Sequence, residues 1–404
     1  MTLRLSASLL LLATPFLAMG DALAAGATDP HQLARDAVIV DTHIDAPGEL
    51  MDAWMDLGEA APGREFDYPR AREGGLDVAF MSIYTSASQD KAGTARESAH
   101  RQIDAVEAMV GRHPDRFAVL TSPGDVERLR AGGHVLLALG MENAAPIGDD
   151  LAQLQVFHDR GVRYITLAHS ASNRLSDSSY DRHHQWEGLS PFGRKVVAEM
   201  NRLGIMVDVS HLSDAAVQQA VEASRVPVIA SHSGFRHFTP GFERNLSDEL
   251  AKAIAAKGGV VQVTFGSAFV NPQMAADTVA EFQADAALDD RNAAARAAGK
   301  PEEDEAAFRA EWKRTHPPRA TKIEAVLEQI DYGVKLVGID HIGLGSDFDG
   351  VSGNLPDGLR SVADYPNLVA GLQKRGYSDD EVRKILGGNL LRVWTAIEAG
   401  AQKG

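Results

Sequence analysis

The stretch Val38-Ile39-Val40-Asp41-Thr42-His43-Ile44-Asp45 is an apolar run that ends in a histidine and an acid. Alternate side chains of a strand share a face, so His43 and Asp45 are expected to leave its end in the same direction. The pattern recurs. Leu139-Gly140-Met141-Glu142, Val207-Asp208-Val209-Ser210-His211, Ile229-Ala230-Ser231-His232 and Leu344-Gly345-Ser346-Asp347 each put an acid or a histidine where an apolar run stops. A single histidine at a strand end is ordinarily a satisfied polar residue. Several runs with the same placement point to side chains gathered at one end of a sheet.

In all, eight runs are strand candidates: 37–45, 78–85, 135–142, 163–169, 205–211, 226–233, 259–265 and 342–348. Several are continuous in Val, Ile and Leu, as in parallel strands buried on both faces. Helical patterns lie between them at 95–111, 151–160, 191–203, 213–223 and 248–257, with Ser213 read as an N-cap and Gly204 as a stop. Eight β–α alternations favour a (β/α)8 barrel, an α/β TIM barrel, whose active site sits at the C-terminal strand ends. No Gly-x-Gly-x-x-Gly turn follows the first strand, which argues against a dinucleotide fold. The segment 274–321, rich in Ala, Asp, Glu and Arg, breaks the rhythm. It reads as a helical insertion between strands seven and eight, either a lid over the site or a solvated excursion.

The chain has 404 residues, 44% of them hydrophobic, which is enough for one large barrel spanning 25–404. Its net charge of −16 argues against nucleic acid or an anionic membrane as partner. Arg4, the apolar run Leu9 to Ala18 and Ala22-Leu23-Ala24 describe a secretory signal peptide over residues 1–24. A periplasmic or secreted location is expected, with cleavage near Ala24. There is no cysteine, so disulfides and lipid attachment through cysteine are excluded, and metal ligands must be N or O donors.

His43, Asp45, Glu142, His211 and His232 are the candidate ligands. Imidazole with carboxylate suits zinc or another first-row divalent ion. Five donors are too many for one tetrahedral zinc with an open position and suit two ions. His43 and Asp45 would hold one, His211 and His232 the other, and Glu142 would bridge. Two ions about 3.5–4 Å apart generate hydroxide near neutral pH and polarise a carbonyl, which suits amide or ester hydrolysis. Asp347 is the expected general base and acid. Asp349 shares its face if the last strand runs that far, or else faces away or caps the following turn. His169, after Leu167-Ala168, is either a further ligand or an oxyanion donor, with donor preferred because five ligands are already present. Asp41 and Asp208 are read as partners that orient ligands. The pair His183-His184 lies in a loop that could reach the site, although a solvated loop is the plainer reading.

Taken in order, these segments resemble the membrane (renal) dipeptidase family of metallopeptidases. The resemblance rests on Asp41-Thr42-His43-Ile44-Asp45-Ala46-Pro47, Gly140-Met141-Glu142, Asp208-Val209-Ser210-His211, Ser231-His232-Ser233, Arg244-Asn245-Leu246, Gly338 to Gly350 and Gly388-Asn389-Leu390-Leu391-Arg392-Val393. It covers nearly all of the chain after the leader except the insertion, and suggests a bacterial member. It implies a binuclear zinc centre on a TIM barrel that cleaves short dipeptides, L-Xaa-L-Xaa or L-Xaa-D-Xaa. By matching motif, His43 and Asp45 bind one zinc, His211 and His232 the other, and Glu142 bridges. His169 contacts substrate, Asp347 is the acid/base, and Arg244 receives the substrate carboxylate. Homodimers are common in that family, and one is expected here. The chain departs from the family at Phe265-Gly266-Ser267-Ala268-Phe269, where members carry tyrosines, and in having no apolar tail for a lipid anchor. An N-acyl amino acid deacylase or lactonase on the same centre is the alternative activity. A non-catalytic zinc-binding protein is the reading from another class.

Overall fold

The computed structural model describes residues 28–181 and 183–401. The expected leader lies outside the described residues. The strands are β1 (Ile39–Ile44), β2 (Leu76–Tyr84), β3 (Phe117–Val119), β4 (Val135–Glu142), β5 (Val162–Thr166), β6 (Met206–Asp208), β7 (Ile229–Ser233), β8 (Val260–Val263) and β9 (Ile342–Leu344). All pair in parallel, in the order β1-β2-β4-β5-β6-β7-β8-β9, with β3 beside β4 and off this path. The ring closes where Ile44 bridges Phe348, with Asp45 N donating to Phe348 O and Asp347 N to His43 O. This is the expected eight-stranded barrel with one short extra strand. Three residues are too few to show a period, so β3 left no pattern in the sequence.

The period of two along β2 and β4 builds the interior. Val78, Phe80, Leu136 and Ala138 belong to the inner cluster, whereas Ala79, Met81, Val135, Leu137 and Leu139 pack against the outer helices. The register sets Val78 beside Leu136, Phe80 beside Ala138, Ser82 beside Gly140 and Tyr84 beside Glu142. Glu142 is therefore the top rung of an inward-facing row whose lower rungs are apolar. The C-terminal helix Asn389–Gly400 closes the other end, with Trp394 against Phe80 at 5.3 Å between ring centroids. No helix among the described residues is long and apolar enough to cross a membrane.

The outer helices follow their punctuation. Pro191–Leu203 starts at Ser190, whose hydroxyl accepts from Gly193 N, and stops at Gly204 in the left-handed region at φ 78°. Ser213 caps Asp214–Ala223 by accepting from Ala216 N. Between β8 and β9 the insertion forms two helices, Pro272–Ala297 and Glu305–Thr315.

Gly140 sits in the inward row, where a methyl group would overlap the ring of Tyr164. That ring crosses the barrel, and its hydroxyl lies 2.7 Å from His43 Nδ1. Gly140→Ala is expected to lower the unfolding free energy by roughly 1–3 kcal/mol, the usual cost of overpacking. Urea unfolding measures this, and an unchanged midpoint would show that Tyr164 can move aside freely.

Candidate metal centre and active site

The expected residues meet at the C-terminal ends of the barrel strands. His211 Nε2 lies 3.0 Å and His232 Nε2 3.2 Å from Glu142 Oε1, and His43 Nε2 lies 3.5 Å from Glu142 Oε2. Asp45 Oδ2 is 3.4 Å from His43 Nε2. The two carboxylate oxygens of Glu142 thus face different imidazoles. Three sets of potential ligand atoms converge: His43, Glu142 and His232; Glu142, His169 and His211; and His43, Asp45 and Asp347.

The route by which some residues arrive differs from the strand reading. β1 ends at Ile44, and Asp45 occupies the cap position of helix Ala46–Asp52. It reaches His43 across this corner and not by strand alternation. β5 ends at Thr166, so His169 lies in the loop beyond it. β6 ends at Asp208 because that side chain accepts from Ser210 N and turns the chain, leaving His211 at φ 68°. Asp347 and Asp349 have φ of 67° and 63°, so the last strand does not continue through them. Asp349 Oδ1 accepts from Glu65 N, and the Asp349 N–H donates to the Glu65 carboxylate. Such conformations cost energy for residues other than glycine and collect at functional sites. His183 and His184 are exposed, in line with a solvated loop.

Buried acids hold the segments that carry the candidate ligands. Asp41 accepts from the backbone N of His43 and of Ser346 and from the Tyr365 hydroxyl, tying β1 to the last strand. It therefore fixes the main chain of His43, while Tyr164 fixes the ring. Asp208 accepts from Ser231 N and Ser231 Oγ, and that hydroxyl lies 2.9 Å from His232 Nδ1. Asp208 thus orients His232 through Ser231. Tyr164 had no distinguishing pattern in the sequence; its one signal is the glycine opposite it on the neighbouring strand, which becomes readable once the register is known.

The charges suit cations. Burial would raise the Glu142 carboxyl, but the imidazoles around it override this and hold it well below the usual range. Burial, with the Arg244 guanidinium, pushes His211 well below the usual imidazole range, and burial with His43 and Arg244 does the same for His232. Both are thereby kept neutral, the form that ligates a metal. Burial opposes a charged His43, yet Tyr164, Glu142 and Asp45 outweigh it and raise the group well above its ordinary value. Asp347 is pushed well above the carboxylate range by burial and by Asp45. The last two shifts mark a concentration of negative charge that divalent ions would balance. His43 Nε2 is buried without a hydrogen-bond partner, and His211 Nε2 and His232 Nε2 face each other at 2.9 Å. Ring nitrogens aimed together in this way fit metal ligation.

The centre opens into a cavity of about 530 Å³ that Asp45, Glu142, His169, His211 and Asp347 help to line. The His169 ring lies against His211, with centroids 4.1 Å apart and planes tilted by 35°, and its Nε2 lies 3.8 Å from Glu142 Oε1. Burial lowers its pKa. Arg244 is 2% exposed. Its Nη1 donates to Ser233 Oγ and its Nη2 to the His232 carbonyl, and its Nε–H has no partner. The Phe269 ring lies 5.1 Å from its guanidinium carbon. Tyr84 and Tyr180 also line the cavity, so tyrosine is present there although Phe265 and Phe269 stand where tyrosines were sought.

Comparison with known proteins gives the family. The family described as membrane dipeptidase (Peptidase family M19) matches residues 28–404. A dipeptidase of Schizosaccharomyces pombe is 31% identical over 411 residues, covering 98% of this chain and 89% of that one. The crystal structure of a probable dipeptidase, PvdM from Pseudomonas aeruginosa, superposes with a TM-score of 0.77 at 28% identity, over 92% of this chain and 98% of that one. A metallopeptidase from Rhodobacter sphaeroides, solved with a phosphinate mimic of L-Ala-D-Ala, gives 0.72 at 25% identity, over 89% and 99%. The sequence relative is fungal and the two structures are bacterial, so these likenesses do not carry the bacterial membership expected above. A family match over nearly all the described chain, on a barrel whose strand ends gather this ligand set, shows that the protein belongs to the membrane dipeptidase family of metallopeptidases, hydrolases that act on dipeptides.

Proposed function

We propose that the chain is a binuclear zinc dipeptidase of the bacterial periplasm or exterior, acting on L-Xaa-L-Xaa or L-Xaa-D-Xaa substrates as a homodimer. The observation that carries this reading is the convergence of three imidazoles on the two oxygens of Glu142, beside a buried arginine with an unpartnered N–H. In this reading His43 and Asp45 would hold one ion and His211 and His232 the other, with Glu142 shared between them. When bound, the ions supply Lewis-acid polarisation of the scissile carbonyl and lower the pKa of water.

The chain's own residues do the rest. Arg244, held rigidly by Ser233 and the His232 carbonyl, directs its Nε–H to the substrate carboxylate. Asp347 takes a proton from the attacking water and returns it to the departing amine nitrogen. His169 donates to the oxygen of the carbonyl as negative charge develops there. Asp45, Asp347 and Asp349 line the cavity. An acidic lining suits the free ammonium of a dipeptide better than the neutral cap of an N-acyl amino acid.

Three outcomes are expected of the protein purified without its leader. Metal analysis is expected to find two zinc ions per chain, with dipeptide cleavage lost to a chelator and restored by zinc. Cleavage that survives complete metal removal would defeat the reading. Arg244→Met is expected to raise KM by roughly 30-fold or more, as when one partner of a buried charge pair is removed. The change should be much smaller for dipeptide amides, which lack the carboxylate. Equal losses on both would place Arg244 outside substrate recognition. Asp347→Asn is expected to lower kcat by about 10²–10⁴ while metal content stays the same. Lost metal would make Asp347 a ligand instead.

A further inference from the structure

We infer that Phe282, on the inserted helix Pro272–Ala297, forms the wall against which the side chain of the carboxyl-terminal residue packs, and that the enzyme prefers a large apolar residue there. This rests on the dipeptidase reading and concerns the insertion, which the chemistry of the centre does not use.

The spacing on the helix comes first. Ala275, Val279 and Phe282 stand at i, i+4 and i+7, which places them on one face. That face meets the barrel, since Ala275 and Val279 pack in a small cluster with Phe242, Phe269 and Tyr180. Phe282 reaches further and stacks on Tyr180, with centroids 4.1 Å apart and planes 15° apart. Both rings line the cavity of the metal centre.

The aromatic wall also has a direction. Tyr180 is 6.1 Å from Phe242, Phe242 is 5.9 Å from Phe269, and Phe269 lies against the Arg244 guanidinium. The rings therefore lead from Arg244, where the substrate carboxylate ends, out to Phe282. A side chain borne on the carbon next to that carboxylate points along them. The other side of the cavity is polar, with Asp52, Ser86, Gln89 and Gln102. The two residues of a dipeptide thus meet different walls, and the insertion supplies one of them.

The test is a set of kcat/KM ratios, measured in whichever hand of the second residue is turned over. For wild type, L-Ala-Phe is expected to exceed L-Ala-Gly. In Phe282→Ala that ratio is expected to fall roughly three- to tenfold, the size of one lost aromatic contact. The ratio of L-Phe-Gly to L-Ala-Gly, which reports the amino-terminal residue, should stay within about twofold, since the rings act only on the other side chain. Phe282→Tyr keeps the ring and should keep the wild-type preference. Should the alanine variant fail to fold, Phe282→Leu gives the same reading through a loss for Phe over Leu at the second position. An unchanged ratio, or a fall confined to the amino-terminal series, overturns the inference and leaves the dipeptidase reading intact. Wild-type protein that cleaves no member of the set overturns both.

Discussion

The pivot of the molecule is the Glu142 carboxylate, buried among imidazoles that come from three other strand ends. An ionised acid taken out of water is tolerated only when other groups compensate it, and here the compensation is distributed over the whole barrel. His43 comes from β1, His211 from beyond β6 and His232 from β7. The ring must close for these side chains to meet. The site thus depends on the barrel, and the inward row under Glu142 is what aims it.

The positions of those imidazoles are held from below. Asp41, Asp208 and Tyr164 are each fully buried, and each holds a candidate ligand through its backbone, through a serine or directly at the ring. A buried polar group without a partner costs free energy, so these groups are committed to their hydrogen bonds and resist rearrangement. The same commitment ends β6 early and places His211 in the left-handed region. The local strain there is balanced by the network around it and not by local preference.

Over this rigid centre the chain lays a more variable layer. The acids on one side, the aromatic rings leading from Arg244 on the other and the inserted helix meet around one cavity. The candidate ligands stand at or just beyond the strand ends, whereas much of the cavity wall around them comes from the loops and the inserted helix. This division is usual for a fold whose active site sits on its βα connections.

Much of the barrel was legible in the sequence because the signals are local. Apolar runs mark the strands, and most of them end at an acid or a histidine. Ser190, Gly204 and Ser213 mark helix ends through hydrogen bonds and backbone geometry that span only a few residues. The ligand candidates, with His169, Asp347 and Arg244, could be named because each stands at a marked strand end or in a recognisable motif. Other features depend on partners far away in the chain. The loss of strand at Asp347 follows from Asp41, about three hundred positions earlier, taking the Ser346 N–H. Tyr164 becomes a partner of His43 only because Gly140 leaves room across the barrel. Phe282 is one aromatic in an alanine-rich segment until the helix lies down on Tyr180. The alternation of elements and the chemical inventory of the site were readable in the chain, since those rest on period, capping and donor type. Which side chains touch was settled by the folded barrel, because the contacts are made between distant strands whose register and closure bring them together.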